Sequence, residues 1–223
     1  MALLSAEDRE TVRKHLTGLV HDVRLLLFTQ TIGGPESALV ARQILDEVAS
    51  LNDRVTVEEV NFVLDKDRAL ALGVIGVPEI VVMRNGQDTR MRFLGAPSGY
   101  EFMSLIEAII AAGTDDGQLT EDSRSLIGSV DQPLDIKVFV TPTCPHCPRA
   151  VTMAHKMALA NPLITATCVE ATEFLELSRE YRVTGVPKTV VNGSIEILGA
   201  LPEDAFVRAV IGHPPVEEGS PTT

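Results

Sequence analysis

The chain of 223 residues is long enough for two domains of about 100 residues or for one larger one, and its 45% hydrophobic and 22% charged content is that of a globular protein. No apolar run approaches the ~18 residues of a membrane-spanning helix. With 31 acidic against 19 basic residues, the net charge of -12 repels phosphate backbones and anionic lipid, so neither nucleic acid nor membrane is expected as a partner.

In chain order, Met1 to Glu10 carries no basic region followed by an apolar stretch and a cleavage site, so a cytoplasmic protein is expected. A first helix opens with Ser5 as N-cap and acidic residues in its first turn. From there the chain repeats itself. Arg24 to Pro35 (RLLLFTQTIGGP) lies beside Ile136 to Cys147 (IKVFVTPTCPHC), each an apolar strand, a Thr-x-Thr turn and then a helical pattern. Val74 to Val82 (VIGVPEIVV) matches Val183 to Val191 (VTGVPKTVV), and Phe93 to Ala96 matches Ile197 to Ala200. Matched blocks in one order imply two copies of one unit, each reading strand, helix, strand, helix, Gly-Val-Pro, two short strands and a closing helix.

In the second copy, strands are expected near 136–140, 164–169, 189–191 and 195–198, with helices over 148–160, 172–181 and 202–211. The helical crossover implies a parallel pair, and Asn192-Gly193 implies an antiparallel hairpin. The fold class is α/β: two tandem units, each a small mixed sheet flanked by helices. Gly113 to Gly117 reads as a break, and Leu119 to Val130 as an entry helix to the second unit. The expected division is 1–116 for a unit without a dithiol, 117–212 for a unit with Cys-Pro-His-Cys, and 213–223 for a disordered tail rich in proline.

Three cysteines are too few, and an odd number, for a structural disulfide framework, so Cys144-x-x-Cys147 points to chemistry. Cys144 follows a strand and is expected to open a helix, where unpaired N–H groups and the helix dipole stabilise a thiolate. Cys144 should then attack, and Cys147, across the first turn, should resolve. Pro145 suits the first helical position, because it lacks the N–H that has no partner there. His146 adds positive charge near the sulfur on one reading and is a solvent-exposed bystander on the other. Zinc held by Cys144, Cys147, Cys168 and His146 or His155 is a competing use of the cysteines, disfavoured because only one cysteine knuckle exists. No metal and no cofactor are expected. Cys168 reads as a buried strand residue, and His15, His21, His155 and His213 as surface residues.

These residues resemble the thioredoxin superfamily, with Cys-Pro-His-Cys at a strand-to-helix turn and Gly185-Val186-Pro187 further on. Across nearly the whole chain, the tandem arrangement, the Cys-x-x-Cys-Pro form and Ser98-Gly-Tyr-Glu-Phe102 are similar to the glutaredoxin-like protein disulfide oxidoreductases. They are similar also to the N-terminal domain of the alkyl hydroperoxide reductase flavoprotein. The resemblance implies that Pro187 is cis and faces the dithiol, and that Val186 hydrogen-bonds the substrate backbone. It departs at Ile32-Gly33-Gly34-Pro35, which stands where a first dithiol would be. It also implies that Glu101 approaches the second unit's dithiol as a proton carrier, whereas the spacing of Ser98 and Glu101 is equally that of a helix capping box.

The expected function is thiol–disulfide exchange with disulfide-containing proteins, along a route from a thioredoxin-reductase-like donor to a peroxiredoxin. No Gly-x-Gly-x-x-Gly fingerprint is present, so the donor is expected to be a separate protein. A disulfide-forming or isomerising protein, and a redox-inert peptide-binding or chaperone module, are the alternatives.

Overall fold

The computed structural model describes residues 4–115 and 119–212, so the expected boundary at 116/117 and the tail 213–223 lie outside the described residues. The first half runs α1 (Ala6–Leu16), β1 (Val23–Thr29), α2 (Ser37–Ala49), β2 (Val55–Asn61), α3 (Lys66–Ala71), β3 (Glu79–Arg84), β4 (Gln87–Leu94) and α4 (Glu101–Gly113). The second half repeats that order with α5 (Glu121–Gly128), β5 (Leu134–Val140), α6 (Cys147–Ala160), β6 (Ile164–Glu170), α7 (Leu175–Glu180), β7 (Lys188–Val191), β8 (Ile195–Leu198) and α8 (Glu203–Val210). Ser5 caps α1 as expected, its side chain accepting from the Asp8 N–H at 3.1 Å, and Thr120 caps α5 in the same way.

Both halves pair their strands alike. The first strand is parallel to the second and antiparallel to the third, which forms a hairpin with the fourth. The hairpin turns are Asn85-Gly86 and Asn192-Gly193, all four residues in the left-handed region that Asn and Gly tolerate best. Each unit has the small mixed sheet expected, and the two sheets are joined. Strands β4 and β6 pair in parallel from Met91↔Ala166 to Leu94↔Val169, which makes one eight-stranded sheet in the order β2-β1-β3-β4-β6-β5-β7-β8. Each of these strands would otherwise be a sheet edge with unpaired N–H and C=O groups, and the junction satisfies both rows at once.

Alternation along the strands sets the layers. On β5, Ile136, Val138 and Val140 enter the main core, while Phe139 enters a smaller core with Phe174 and Leu177 beside α7. The main core also contains Leu105, Ile109, Ala150 and Val151, so α4 and α6 lie on one face of the sheet and pack against each other. Helix α7 is shorter than its sequence pattern. The Glu170 carboxylate accepts the Thr172 and Glu173 N–H groups and the Thr172 hydroxyl, tying those residues into a turn ahead of the helix.

Candidate active site

Strand β5 ends at Val140, and a turn held by the Cys144 N–H donating to the Thr141 carbonyl at 3.1 Å leads into α6. Cys144 and Cys147 are joined as a disulfide, with Cα atoms 5.5 Å apart. Cys144 is 8% exposed and Cys147 is fully buried, so of the two cysteines only the first has exposed surface.

The helix begins one residue ahead of the expected 148–160, but neither Cys144 nor Pro145 opens it. His146 is the N-cap, Cys147 is the first helical residue, and Pro145 stands in the preceding turn rather than at the first helical position. The reason is Pro148. A helix starting at Pro145 would place Pro148 fourth, where an N–H to the Cys144 carbonyl is required and the proline ring would strike that carbonyl. Started at Cys147, the helix has Pro148 in its first turn, where a missing N–H leaves no bond unmade. Pro145 and His146 are both exposed.

Facing the same core is the Val186–Pro187 bond, which is cis. Pro187 is buried, and half-buried Val186 packs on the cluster that contains both dithiol cysteines. The Gly199 N–H donates to the Pro187 carbonyl at 2.9 Å and pins the turn to the end of β8.

Glu101 comes from the first half of the chain. The capping-box geometry is absent: Tyr100 is the N-cap of α4, without a side-chain cap, and Ser98 offers its carbonyl to the Glu101 N–H. The Tyr100 N–H donates to the Pro142 carbonyl at 2.9 Å, and Gly99 is left-handed with φ +59°, its missing Cβ position only 2.2 Å from that carbonyl. Residues 99–100 are thus seated on the loop that carries the dithiol. Glu101 becomes the first residue of α4 and turns inward, 2% exposed, with Oε2 accepting from Ser104 Oγ at 2.6 Å and from Cys168 Sγ at 3.7 Å. Its Oε1 is buried without a partner. Burial raises its pKa to about 7, opposed by the hydrogen bonds from Ser104 and Cys168. Cys168 is the buried strand residue expected, and its thiol is pushed well up by burial and by the Glu101 charge.

One reading needs correction. His155 is not on the surface: it is 2% exposed on α6, with Nε2 3.2 Å from the Arg92 carbonyl and its ring edge-on to Phe93. Burial lowers its pKa to about 4, which makes it a neutral packing residue. The polar spacing around His155 offers no signal, but its apolar neighbours Val151, Ala154 and Ala158 on one helix face do. Among the described residues, no group of three or more His, Cys, Asp or Glu side chains is placed to hold a metal ion. Nor, among those residues, is any helix long and apolar enough to cross a membrane.

This fold and this dithiol define the class: a thiol–disulfide oxidoreductase built on two tandem thioredoxin-like units, the second carrying the Cys-x-x-Cys pair. The thioredoxin domain family model matches residues 134–212, the half that holds the pair. The chain is 26% identical over 194 residues to the alkyl hydroperoxide reductase AhpF of Escherichia coli and, to the same degree, to that of Staphylococcus epidermidis. These matches cover 86% of the chain and 34% of each relative, so the chain spans about a third of the length of those proteins. Among solved structures, it superposes on the N-terminal domain of AhpF from Enterococcus faecalis with TM-score 0.87 and 27% identity, over 93% of this chain and 99% of that one. It superposes also on a protein disulfide oxidoreductase from Aeropyrum pernix with TM-score 0.85 and 25% identity, over 95% and 96% of the two chains.

Proposed function

We propose that the chain relays electron pairs, taking them from a thioredoxin-reductase-like flavoprotein and passing them to the disulfide of a peroxiredoxin or another oxidised protein. The observation that carries this reading is the Cys144–Cys147 disulfide, closed at a strand-to-helix turn with Cys147 fully buried and Cys144 alone of the two keeping some exposure. The likeness to AhpF supports this choice of donor and acceptor.

In the reduced protein the Cys144 thiolate attacks one sulfur of the substrate disulfide, and the other substrate sulfur leaves as a thiolate. Glu101 then takes the proton from the Cys147 thiol. The Cys147 thiolate attacks Cys144, releasing the second substrate thiolate and closing the disulfide, so two electrons have moved to the substrate. The donor reverses these steps, with protonated Glu101 returning its proton to Cys147. Val186 presents its backbone to the substrate chain, Pro145 and Pro187 shape the surface around Cys144, and His146 favours the thiolate. The exchange chemistry is assigned to the second unit, with unit boundaries kept at 116/117 and 212/213.

The test is to mix reduced variants with a disulfide-bonded protein such as insulin. Cys144→Ser should abolish exchange, while Cys147→Ser should accumulate a covalent adduct that releases on adding reductant. Equal loss in both without an adduct would overturn the assigned roles. The likeness to a protein disulfide oxidoreductase keeps disulfide formation as the second reading, and the dithiol's reduction potential measured against glutathione separates the two.

A further inference from the structure

The buried carboxyl of Glu101 is not held by its own helix alone. Ser104 Oγ, one turn further along α4, and Cys168 Sγ, reaching from β6, converge on the same oxygen, Oε2, at 2.6 and 3.7 Å. The other oxygen, Oε1, is left buried and unpaired. Cys168 is fixed on two sides, since its strand pairs through Phe93 with β4 and through Val138 with β5, which leads into the dithiol loop.

We propose that Cys168 is a positioning residue for the exchange reaction: its thiol donates to Glu101 Oε2, orients the carboxyl so that Oε1 is the oxygen that trades protons, and favours the ionised acid that accepts the Cys147 proton. This inference rests on the assignment of Glu101 as proton carrier. A thiol suits the task because it donates a hydrogen bond weakly, so it steadies the carboxylate without holding the acid ionised throughout the cycle. The negative carboxylate in turn keeps Cys168 protonated, so the third cysteine stays a donor and does not compete with the dithiol.

Other titratable groups near this layer are accounted for. Helix α6 and the turn before it contribute Cys147 and Cys144, which form the couple itself, His155, buried and neutral, exposed Arg149 and half-buried Lys156. On β6, Glu170 acts on Cys168 through its charge. On β4, Arg92 is engaged with Asp88, and on β3, Glu79 takes the Ile75 and Gly76 N–H groups, so neither bonds Glu101. On α1, which also packs on α4, the titratable side chains Glu7, Asp8, Glu10, Arg13, Lys14 and His15 are exposed and Arg9 pairs with Glu47.

The test uses the full chain, reduced and mixed rapidly with a small aromatic disulfide. The first burst of aromatic thiolate reports attack by Cys144, and the second reports closure by Cys147, the step in which Glu101 takes the proton. Cys168→Ala should move the acid limb of the closure rate up by about 0.5 to 1 pH unit, as expected for loss of one hydrogen bond to a carboxylate. The first burst should stay unchanged. Cys168→Ser, which keeps a donor, should recover part of that shift, and Cys168→Ala added to Glu101→Gln should change nothing further. A Cys168→Ala profile that superimposes on the wild type, while Glu101→Gln loses the limb, overturns this inference and leaves the Glu101 assignment standing. A wild-type profile in Glu101→Gln removes the assignment itself. A lowered melting temperature in Cys168→Ala with no movement of the limb reduces Cys168 to packing. Should the Cys168 variants fail to fold, the unmodified protein still decides. In its disulfide form Cys168 is the one thiol, and its infrared S–H stretch should shift as Glu101 titrates and stay fixed in Glu101→Gln. A band that ignores pH in both proteins overturns the proposal.

Discussion

The loops after β1 and β5 occupy the same place in the two halves and have diverged in almost every property that matters for redox chemistry. Ile32 stands where the second half has Cys144 and is 85% exposed against 8%; Pro35 stands where it has buried Cys147 and is itself exposed. Helix α2 starts at Ser37, two positions later than α6 in the matched frame, and the loop swings out with Gly33 left-handed and Gly34 pressed against the Gln30 carbonyl. By contrast, the Gly-Val-Pro turns have stayed alike. The Gly95 N–H meets the Pro78 carbonyl at 2.9 Å as the Gly199 N–H meets that of Pro187. Even the residue after the proline is buried in both halves, with opposite polarity. Glu79 accepts the Ile75 and Gly76 N–H groups, whereas Lys188 donates to the Tyr181 carbonyl. The turn therefore belongs to the architecture, and what distinguishes the second half is the cysteine pair.

The strongest way to break this comparison is to move the dithiol. Ile32→Cys with Pro35→Cys, placed in a chain carrying Cys144→Ser and Cys147→Ser, should show no measurable insulin reduction. The first loop lacks the helix start at the second cysteine. It also lacks an inward acid: Glu203, at the matching start of α8, is spent on the Thr120 N–H and hydroxyl. Turnover near the wild-type rate would show that the cysteine spacing alone suffices and that Glu101 is dispensable.

A smaller effect is expected where the two halves meet at the dithiol loop. Gly99→Ala places a Cβ in a left-handed residue and against the Pro142 carbonyl, a change that costs about 2 kcal/mol. Relief requires α4 to draw back from the loop, so exchange should slow about 10-fold with the melting temperature lowered, the slowing being that expected when a proton-transfer group is displaced. Thermal melts and insulin reduction on the same preparation check this. An unchanged rate at lowered stability would mean that the contact serves folding only.

The buried acid also leaves a signature in stability. Glu101 has its folded pKa raised to about 7, so between its ordinary value and 7 the unfolded chain gives up that proton first. The stability that protonated Glu101 allows is therefore complete at low pH and is lost as pH rises through 7. Glu101→Gln has no such ionisation, and relative to wild type it should gain up to about 3 kcal/mol between pH 4.5 and 8. His155 runs the other way between 6.5 and about 4, but it is common to both proteins and cancels in the difference. Chemical denaturation of the two proteins across this range supplies the measurement, and parallel curves would refute the raised pKa.

Much of this is legible in the sequence because repeats compare a chain with itself. The matched blocks carry the order of elements, and Cys-x-x-Cys after an apolar strand carries the chemistry. What stays hidden depends on partners far along the chain. Nothing in β4 or β6 announces that they join, since an edge strand and an inner one carry the same alternation. The spacing of Ser98 and Glu101 describes a capping box faithfully. It fails because Pro142, from the other half, takes the Tyr100 N–H and starts the helix two residues later than that box requires. Pro148, by contrast, is readable locally: a proline after the second cysteine already forbids a helix beginning at Pro145.

The smallest effect expected concerns His146, whose counterpart in the first loop is Gly34. As N-cap of α6 it stands between the two cysteines, where a cation stabilises a thiolate. Yet it is exposed and makes no side-chain cap bond, so water and salt screen its charge. The helix start is fixed by the fold and its dipole does not depend on an exposed side chain, so it is expected to carry most of the stabilisation. His146→Gln should therefore raise the Cys144 pKa by less than about one unit, the scale of a single exposed charge pair. The couple should become slightly more reducing, because the reduced form loses part of its stabilisation. Ultraviolet titration of the thiolate at low and high salt tests this, since the difference between variant and wild type should shrink as salt is added. A difference that persists at high salt would mean that His146 acts through a direct contact rather than through its charge, and an absent difference would leave thiolate stabilisation to the helix and loop alone.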